Sequence, residues 1–502
     1  MQTSNQHDTQ GAAHWAASQQ QPRIAIIGAG MSGIAAIVKL NQAGYTDITV
    51  YEKSSRVGGT WRENTYPGLS CDIPSRWYSF SFALKADWSH RYSYGHDIQA
   101  YLESVAQDFD VNRHIRFNTP VRALVYEKPH WRLTTHSGEE FEFDIVISAT
   151  GVLHHPAYPA IDGLESFAGA RFHSARWNHD IDLAGKRVGV IGTGSTACQI
   201  VGAIAEETEE LLVFQRTPHW MIPMPQIEYR KTWNRLMALL PPLRRMAYHF
   251  YKRIILHTFS EATIGNARMQ KLITRACLKH LQDAVPDAQL REKLTPDYAA
   301  TCKRLIVCSD YYPAVSRPDT HLITDNIRSI ESEGVRTVDG ALHKLDVLVL
   351  ATGFDASAFI LPTTVTGENG ADLEQRWQGS PRAHRAVAIP DFPNFWMLEG
   401  PTGPVGNFSL ITITEHQVDY IISMLDKMKS DHLAAIAPKR ASFEAYNQSM
   451  GEAIKHTTWY TGGCDSWYID DSGIPNLYPW SPLRYLKDMR NPDFSEYRLI
   501  HQ

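Results

Sequence analysis

The 502-residue sequence predicts an α/β protein with two Rossmann-like domains and a helical insertion. Glycine-rich segments at 28–33 and 192–197 each follow a short apolar run and lead into a helical pattern. This order of strand, glycine-rich turn and helix is typical of dinucleotide-binding folds. From 219 to about 300 the pattern is helical, with aromatic and basic residues interleaved. We therefore expect two dinucleotide-binding domains and one amphipathic helical cap, with peripheral membrane contact of these helices as the less favoured alternative.

Length and composition limit the class of protein. A chain of 502 residues is too long to fold around one hydrophobic core, so two or three domains are expected. The formal charge of -5 gives no field that would hold nucleic acid. No run of about 18 apolar residues occurs, so no transmembrane helix is expected. Residues 1–22 are polar and lack the apolar centre of a signal peptide, which predicts a disordered leader and a cytoplasmic protein.

The six cysteines are scattered and form no CxxC pair. Cys302 and Cys308 are separated by five residues, which is not the CxxxxC of flavin disulfide reductases. Cysteines distributed in this way predict reduced, intracellular thiols. No metal site is predicted.

The first glycine-rich segment has the features of an FAD site. Arg23–Ile27 predicts a buried strand, and Gly28, Gly30 and Gly33 follow it with Ser32 between. The first glycine permits the tight turn, the second admits a pyrophosphate, and the third lets helix pack on strand. The free N–H groups of the helix start would bind the phosphates.

An acidic residue follows the first site at the distance expected for a ribose contact. Glu52 lies 24 residues past Gly28, at the end of the predicted strand 48–52, and Lys53 follows it. A carboxylate there accepts a hydrogen bond from a ribose 2′-OH and excludes a 2′-phosphate. FAD or NAD therefore fits, and the position at the start of a chain with two nucleotide sites favours FAD.

At the corresponding position of the second site, a basic residue replaces the acidic one. Its candidate cofactor contacts are Gly192, Thr193, Gly194, Ser195 and Thr196. Arg216 lies 24 residues past Gly192, beside Thr217. Because a guanidinium binds phosphate where a carboxylate would bind a hydroxyl, the second site is predicted to take NADP(H).

Two further segments resemble type I Baeyer–Villiger monooxygenases, which belong to the flavin-containing monooxygenase superfamily. The segment 58–72, GGTWRENTYPGLSCD, matches the signature G-G-x-W-x-x-x-x-Y-P-G-x-x-x-D. The segment 167–177 matches the fingerprint F-x-G-x-x-x-H-x-x-x-W, with Phe167, Gly169, His173 and Trp177. The family usually continues with Pro or Asp, where this chain has Asn178.

The resemblance implies roles for further residues. It assigns Arg304, in TCKRLIVCSDYY, as the catalytic arginine and Asp72 as its partner. It places Lys303 at the NADP 2′-phosphate and Trp467 over the nicotinamide. The segment with Gly59, Thr60 and Trp61 would pass close to the flavin.

The expected domain order follows from these motifs. It comprises a leader (1–22), the first part of the FAD domain (23–151), a linker with the first part of the NADP domain (152–218), the helical insertion (219–300), the return of the NADP domain (301–353), and the second part of the FAD domain with the C-terminal segment (354–502).

The resemblance implies an NADPH- and O2-dependent enzyme that converts ketones to esters or lactones through a C4a-peroxyflavin. One alternative keeps this chemistry but oxygenates the sulfur or nitrogen of thioethers or amines, although Trp177 favours the ketone reaction. A disulfide-type reductase is disfavoured by the missing cysteine pair, and a non-catalytic nucleotide-binding module is the remaining class. The expected partners are O2 and a small ketone or thioether, with the chain a monomer or homodimer.

Overall fold

A computed structural model describes residues 21–404, 406, 408–470 and 472–501. The predicted disordered leader at 1–22 lies, apart from Gln21 and Pro22, outside the described residues. Two five-stranded parallel sheets form the centres of two α/β units, and this confirms the predicted fold class. Within the described ranges, no helix is long and apolar enough to cross a membrane.

The elements are numbered in chain order. The strands are β1 (Ile24–Ile27), β2 (Ile48–Tyr51), β3 (Ile115–Arg116), β4 (Val121–Glu127), β5 (His130–Thr135), β6 (Glu140–Phe143), β7 (Ile145–Ser148), β8 (Ala170–His173), β9 (Arg187–Ile191), β10 (Glu210–Phe214), β11 (Met221–Ile222), β12 (Ile306–Val307), β13 (Thr320–Ile323), β14 (Ile327–Glu331), β15 (Gly334–Thr337), β16 (Leu342–Lys344), β17 (Val347–Leu350), β18 (Thr364–Thr366), β19 (Phe395–Met397), β20 (Ala435–Pro438) and β21 (Tyr497–Ile500). The α-helices are α1 (Met31–Gln42), α2 (Thr60–Glu63), α3 (Gly95–Asp108), α4 (Ser195–Ile204), α5 (Lys231–Leu239), α6 (Pro241–His257), α7 (Phe259–Thr263), α8 (Ala267–Ala284), α9 (Ala288–Leu294), α10 (Tyr311–Val315), α11 (Leu373–Trp377), α12 (Leu410–Asp431), α13 (Arg440–Ile454), α14 (Thr458–Thr461) and α15 (Pro482–Asp488).

The first unit is built on the sheet β19-β7-β1-β2-β3. Its central strand β1 is apolar and buried along its whole length, as expected for a parallel strand covered on both faces. Helices α1 and α12 pack together in the core beside this sheet, so the first and last parts of the chain share one core. A second sheet, β18-β4-β5-β6, adds a smaller core.

The second unit is built on the sheet β13-β10-β9-β17-β8. Strands β9 and β10 pair in parallel, and α4 connects them in the βαβ arrangement that the second glycine-rich segment predicts. Strand β8 lies at the edge and pairs with β17, whose far neighbour is β9. The segment with the fingerprint residues therefore lies at the edge of the five-stranded sheet of the second unit.

The helical insertion starts later than its sequence pattern suggests. Its first helix begins at Lys231, and the short strand β11 precedes it. Strand β11 pairs in parallel with β12, which follows the insertion, so the two strands close its base. Although the insertion interrupts the second unit in sequence, Tyr248 and Leu256 of α6 are buried in the core of the first unit.

The expectation that all cysteines are reduced is wrong for two of them. Cys302 and Cys464 form a disulfide, whereas Cys71, Cys198, Cys277 and Cys308 are free and buried. The paired cysteines are 162 residues apart in sequence, and no spacing rule connects them. Only the folded chain brings the segment before Arg304 against the C-terminal segment.

This pairing predicts the thiol content. Denatured, unreduced protein should react with four equivalents of a thiol reagent per chain, and with six after reduction. The Cys464→Ser variant should give the same number of reactive thiols with and without reductant, because Cys302 has lost its disulfide partner. Six reactive thiols in the unreduced wild type would contradict the disulfide.

Candidate active site

A cleft of about 760 Å³ opens between the two units. The predicted site residues that line it are Gly28, Gly30, Ser32, Glu52, Lys53, Gly59, Thr60, Trp61, Asp72, Ser195, Thr196, Arg304 and Trp467. The other predicted cofactor contacts do not line it: Gly33, Gly192, Thr193, Gly194, Arg216, Thr217 and Lys303. The structure thus brings residues from four distant parts of the sequence to one cavity.

The two glycine-rich turns make the same contact with their sheets. Gly28 has φ +106°, and a Cβ atom there would lie 2.7 Å from the carbonyl oxygen of Ala149. Gly192 has φ +121°, and its Cβ would lie 2.4 Å from the carbonyl oxygen of Ala351. Because both turns need positive φ and a close approach to a neighbouring strand end, no side chain is tolerated at either position.

The residues around both turns fit dinucleotide ligands. Helices α1 and α4 begin directly after Gly30 and Gly194, so free backbone N–H groups mark each helix start. A Cβ atom at Gly194 would meet nothing within 4 Å, which leaves the backbone open to a pyrophosphate. The Glu52 carboxylate accepts hydrogen bonds from the backbone N–H groups of Ala29 (2.8 Å) and Ser54 (2.9 Å) and lines the cleft.

Two cations that follow the second turn in sequence, Arg216 and Lys303, interact electrostatically. Arg216 is exposed just after the end of β10. Burial lowers the pKa of Lys303, and the positive charge of Arg216 lowers that pKa further, while Asp465 opposes the shift. A lysine whose charged form is disfavoured by burial and by a neighbouring arginine forms, together with that arginine, a suitable site for a phosphate anion.

Arg304 and Asp72 form an ion pair in the cleft, although 232 residues separate them in sequence. The Nε and Nη2 atoms of Arg304 donate to the same oxygen, Oδ2 of Asp72, at 3.1 and 2.6 Å. The negative charge of Asp72 is the main reason that the pKa of Arg304 is raised above its ordinary value. Arg304 is therefore a fixed cation at any working pH.

The signature segment 58–72 is bound to the second unit as well as to the first. The hydroxyl of Tyr66 donates to the side-chain oxygen of Gln199 on α4 at 3.0 Å, and the Gln199 amide donates to the carbonyl of Ser70 at 3.0 Å. Gly68 has φ +78°, and a Cβ there would lie 2.5 Å from the carbonyl oxygen of Gln199. Asp72 is thus positioned by contacts with α4, and Gln199 was not identified from the sequence.

The fingerprint residues surround β8 and reach the cleft through one aromatic contact. His173 is buried, its Nδ1 accepts from the backbone N–H of Ala175 (3.1 Å), and burial lowers its pKa. Its ring lies 6.0 Å from that of Phe354, which lines the cleft. Trp177 packs edge-on against Phe172 at 5.0 Å. A Cβ at Gly169 would lie 2.7 Å from the ring of Phe167.

The C-terminal segment covers part of the cleft. Trp467 is 51% exposed and lines the cavity, so it is not a core residue. Its ring contacts Tyr468 at 4.3 Å, and Tyr468 interacts with Arg304. The Cys302–Cys464 disulfide joins this segment to the loop that holds Arg304.

Glu399 is a buried acid in the cleft that sequence reasoning missed. The hydroxyl of Thr414 donates to its Oε1 at 2.8 Å, and Ser32 of the first glycine-rich segment also hydrogen-bonds to it. Burial raises the pKa of Glu399 to about 7, while these hydroxyl groups oppose the shift. The available signal was an isolated acid between an apolar strand and the glycine-rich 400–403 loop.

The first glycine-rich turn and the start of α4, which follows the second turn, line one cleft together with the Arg304–Asp72 pair, and this arrangement is typical of an oxidoreductase with two nucleotide cofactors. The sequence profile described as "Flavin-binding monooxygenase-like" matches residues 21–365. The chain therefore belongs to the flavin-binding monooxygenase-like family.

Individual relatives cover nearly the whole chain. An uncharacterized monooxygenase of Mycobacterium tuberculosis (strain H37Rv) is 43% identical over 95% of this chain and 96% of its own length. A protein of Streptomyces coelicolor named Baeyer–Villiger monooxygenase is 36% identical, over 95% of this chain and 92% of its own. The solved structure of cyclohexanone monooxygenase from Rhodococcus sp. Phi1 bound to NADP+ has a TM-score of 0.84 at 29% identity, over 96% of this chain and 99% of that one.

The raised pKa of Glu399 predicts a pH-dependent stability. The ordinary pKa of the Glu399 carboxyl is 4.5, so between pH 4.5 and about pH 7 the folded protein keeps a proton on Glu399 that the unfolded chain releases. The contribution of Glu399 to the free energy of unfolding is therefore fully present below about pH 4.5. It is lost as the pH rises through about 7, by up to about 3 kcal/mol. Glu399→Gln should remove this slope, as measured by denaturant unfolding of flavin-free protein at several pH values.

The matched control is Glu444→Gln, which changes an acid of α13 outside the cleft. This variant should keep the wild-type slope. If Glu399→Gln also keeps it, Glu399 is ionised in the folded protein and the assigned protonation is wrong.

Proposed function

We propose that the protein is an NADPH- and oxygen-dependent Baeyer–Villiger monooxygenase that converts ketones to esters or lactones. The single observation that supports this most is the Arg304–Asp72 pair in the cleft that the first nucleotide turn and the start of α4 both line. Relatives named Baeyer–Villiger monooxygenase in Streptomyces coelicolor and Pseudomonas aeruginosa support the same reaction. Structures of NADP-bound steroid and cyclohexanone monooxygenases share the fold.

The first turn and the second turn take different nucleotides in this proposal. FAD would bind along Gly28, Gly30 and the start of α1, with Glu52 accepting a hydrogen bond from its ribose. NADPH would bind along the start of α4, with Arg216 and Lys303 at its 2′-phosphate. When bound, FAD supplies the oxygen-activating chemistry with electrons from NADPH.

Arg304 would act as a fixed cation beside the reacting oxygen atoms. Negative charge develops on oxygen during the attack on a ketone carbonyl, and a preorganised positive group lowers the barrier most in a site shielded from water. Asp72 is the positioning residue: two hydrogen bonds to one carboxylate oxygen fix the plane of the guanidinium. Tyr66 and Gln199 in turn hold the loop that ends at Asp72.

Loss of Arg304 should separate the two half-reactions. Arg304→Ala should still consume NADPH and oxygen but release hydrogen peroxide, with ester formation lower by about 10²–10³. Asp72→Ala should show a milder defect of the same kind, because it acts through the arginine. Stopped-flow flavin reduction under nitrogen, followed by product analysis in air with ketone and thioether substrates, measures both halves.

The matched control is Arg317→Ala, which removes a surface arginine that pairs with Asp319 in the second unit. It should form ester at the wild-type rate. Normal ester yield from Arg304→Ala would exclude the assigned role, and wild-type protein that forms sulfoxide but no ester would favour the heteroatom-oxygenating alternative.

Arg216 should determine the preference for NADPH over NADH. A charge-assisted contact contributes roughly 1.5–3 kcal/mol, so Arg216→Ala should raise the Michaelis constant for NADPH at least about tenfold. The constant for NADH should change little, because NADH carries no 2′-phosphate. Steady-state kinetics with both cofactors measures this, and equal losses for the two would show that Arg216 does not contact the phosphate.

A further inference from the structure

The exposed large hydrophobic side chains are concentrated in the helical insertion. Of fifteen such residues in the described part of the chain, ten lie between Ile227 and Leu278. Six of them, on α5 and α6, form what we call the outer face: Trp233, Leu236, Leu239, Met246, Phe250 and Ile254. Leu239 is 77% exposed and Met246 is 62% exposed. Clustered apolar exposure of this kind marks a surface that contacts a partner or a membrane.

The opposite side of these helices is fixed to the first unit. Tyr248 is buried in its core, and the Arg244 Nη1 atom donates to the carbonyl of Leu84 at 2.9 Å. On α5, the Asn234 amide donates to the carbonyl of Trp88 at 2.9 Å. The outer face therefore cannot turn inward without breaking buried contacts, and its exposure is a property of the fold.

The outer face has the periodicity of an interfacial helix. Met246, Phe250 and Ile254 recur every four residues and form one apolar stripe along α6. Arg245 and Arg253 each precede a residue of that stripe by one position, so a basic row runs beside it. Helices that lie in the plane of a membrane surface combine an apolar stripe with flanking Lys and Arg in this way.

The charge of the segment is opposite to that of the whole chain. Residues 229–260 contain seven Lys or Arg residues and no Asp or Glu, although the protein has a net charge of -5. The exposed ones are Arg230, Lys231, Arg235, Arg245 and Arg253. None of these five forms a salt bridge with a described residue, so no described carboxylate neutralises their charge through an ion pair.

We propose that the outer face binds the surface of an anionic phospholipid bilayer, with α5 and α6 lying in the plane of the interface. The apolar stripe would enter the boundary of the acyl chains while the basic residues contact the headgroup phosphates. A second copy of the chain fits this face less well, because pairing the face with itself would bring like charges together. Nucleic acid offers phosphates but no apolar layer for Phe250 and its neighbours.

Co-sedimentation of the purified holoprotein with lipid vesicles tests the proposal. Vesicles of phosphatidylcholine mixed with phosphatidylglycerol should bind the protein, more weakly as salt rises, and vesicles of phosphatidylcholine alone should bind it far less. Phe250→Ser should lower the partition coefficient at least about tenfold. The double variant Arg245→Gln with Arg253→Gln should lower it about thirtyfold, since each basic residue near an anionic bilayer contributes roughly a factor of five.

Matched variants away from the outer face control for general effects on the surface. Val338→Ser removes a side chain that is 57% exposed, and Arg328→Gln with Lys429→Gln removes the same charge elsewhere. Both should bind vesicles like the wild type, with circular dichroism and flavin absorbance showing that every variant is folded.

Three results would overturn the proposal. The first is wild-type protein that stays unbound to the anionic vesicles at low salt. The second is equal binding to both kinds of vesicle. The third is light scattering that shows Phe250→Ser converting a dimer to a monomer while vesicle binding is unchanged, which would make the face an interface between copies.

Discussion

The contact between the loop at 58–72 and α4 is the constraint on which the active-site geometry depends. Gly68 lies so close to the Gln199 carbonyl that no Cβ fits, and the Gln199 amide bonds back to Ser70. This contact spans the two units, so it fixes the position of Asp72 relative to the second nucleotide turn. The Asp72–Arg304 pair and the cleft around it follow from that position.

The sequence predicts those parts of the structure that depend on local constraints. A turn that needs positive φ beside a strand end requires glycine, and this requirement is visible at Gly28 and Gly192. The Arg304–Asp72 pair joins residues 232 positions apart, and it was expected only because the family resemblance connects the two motifs. The disulfide and the Gln199 contacts have no local signature, since chain segments far apart in sequence create them.

The helical insertion shows why order in the sequence does not determine packing. It interrupts the second unit, yet α6 buries Tyr248 and Leu256 in the core of the first unit. Inside the fold, the Nζ atom of Lys252 on α6 lies 5.9 Å from the ring of Phe408, which lines the cleft. One helix therefore packs with its inner side against a residue that lines the cleft and presents the apolar stripe with its outer side.

Two buried acids in the cleft differ in the groups that surround them, and this difference separates their roles. Glu52 accepts from two backbone N–H groups and from the Arg62 guanidinium (3.4 Å), all of which stabilise a carboxylate. Hydroxyl groups of Thr414 and Ser32 are the side-chain partners of Glu399, and they do not offset the cost of burying a charge. With its oxygens held by these donors, Glu52 is suited to accept a hydrogen bond from a ribose hydroxyl. Glu399, whose pKa is raised to about 7, is instead suited to donate a hydrogen bond when protonated and accept one when ionised.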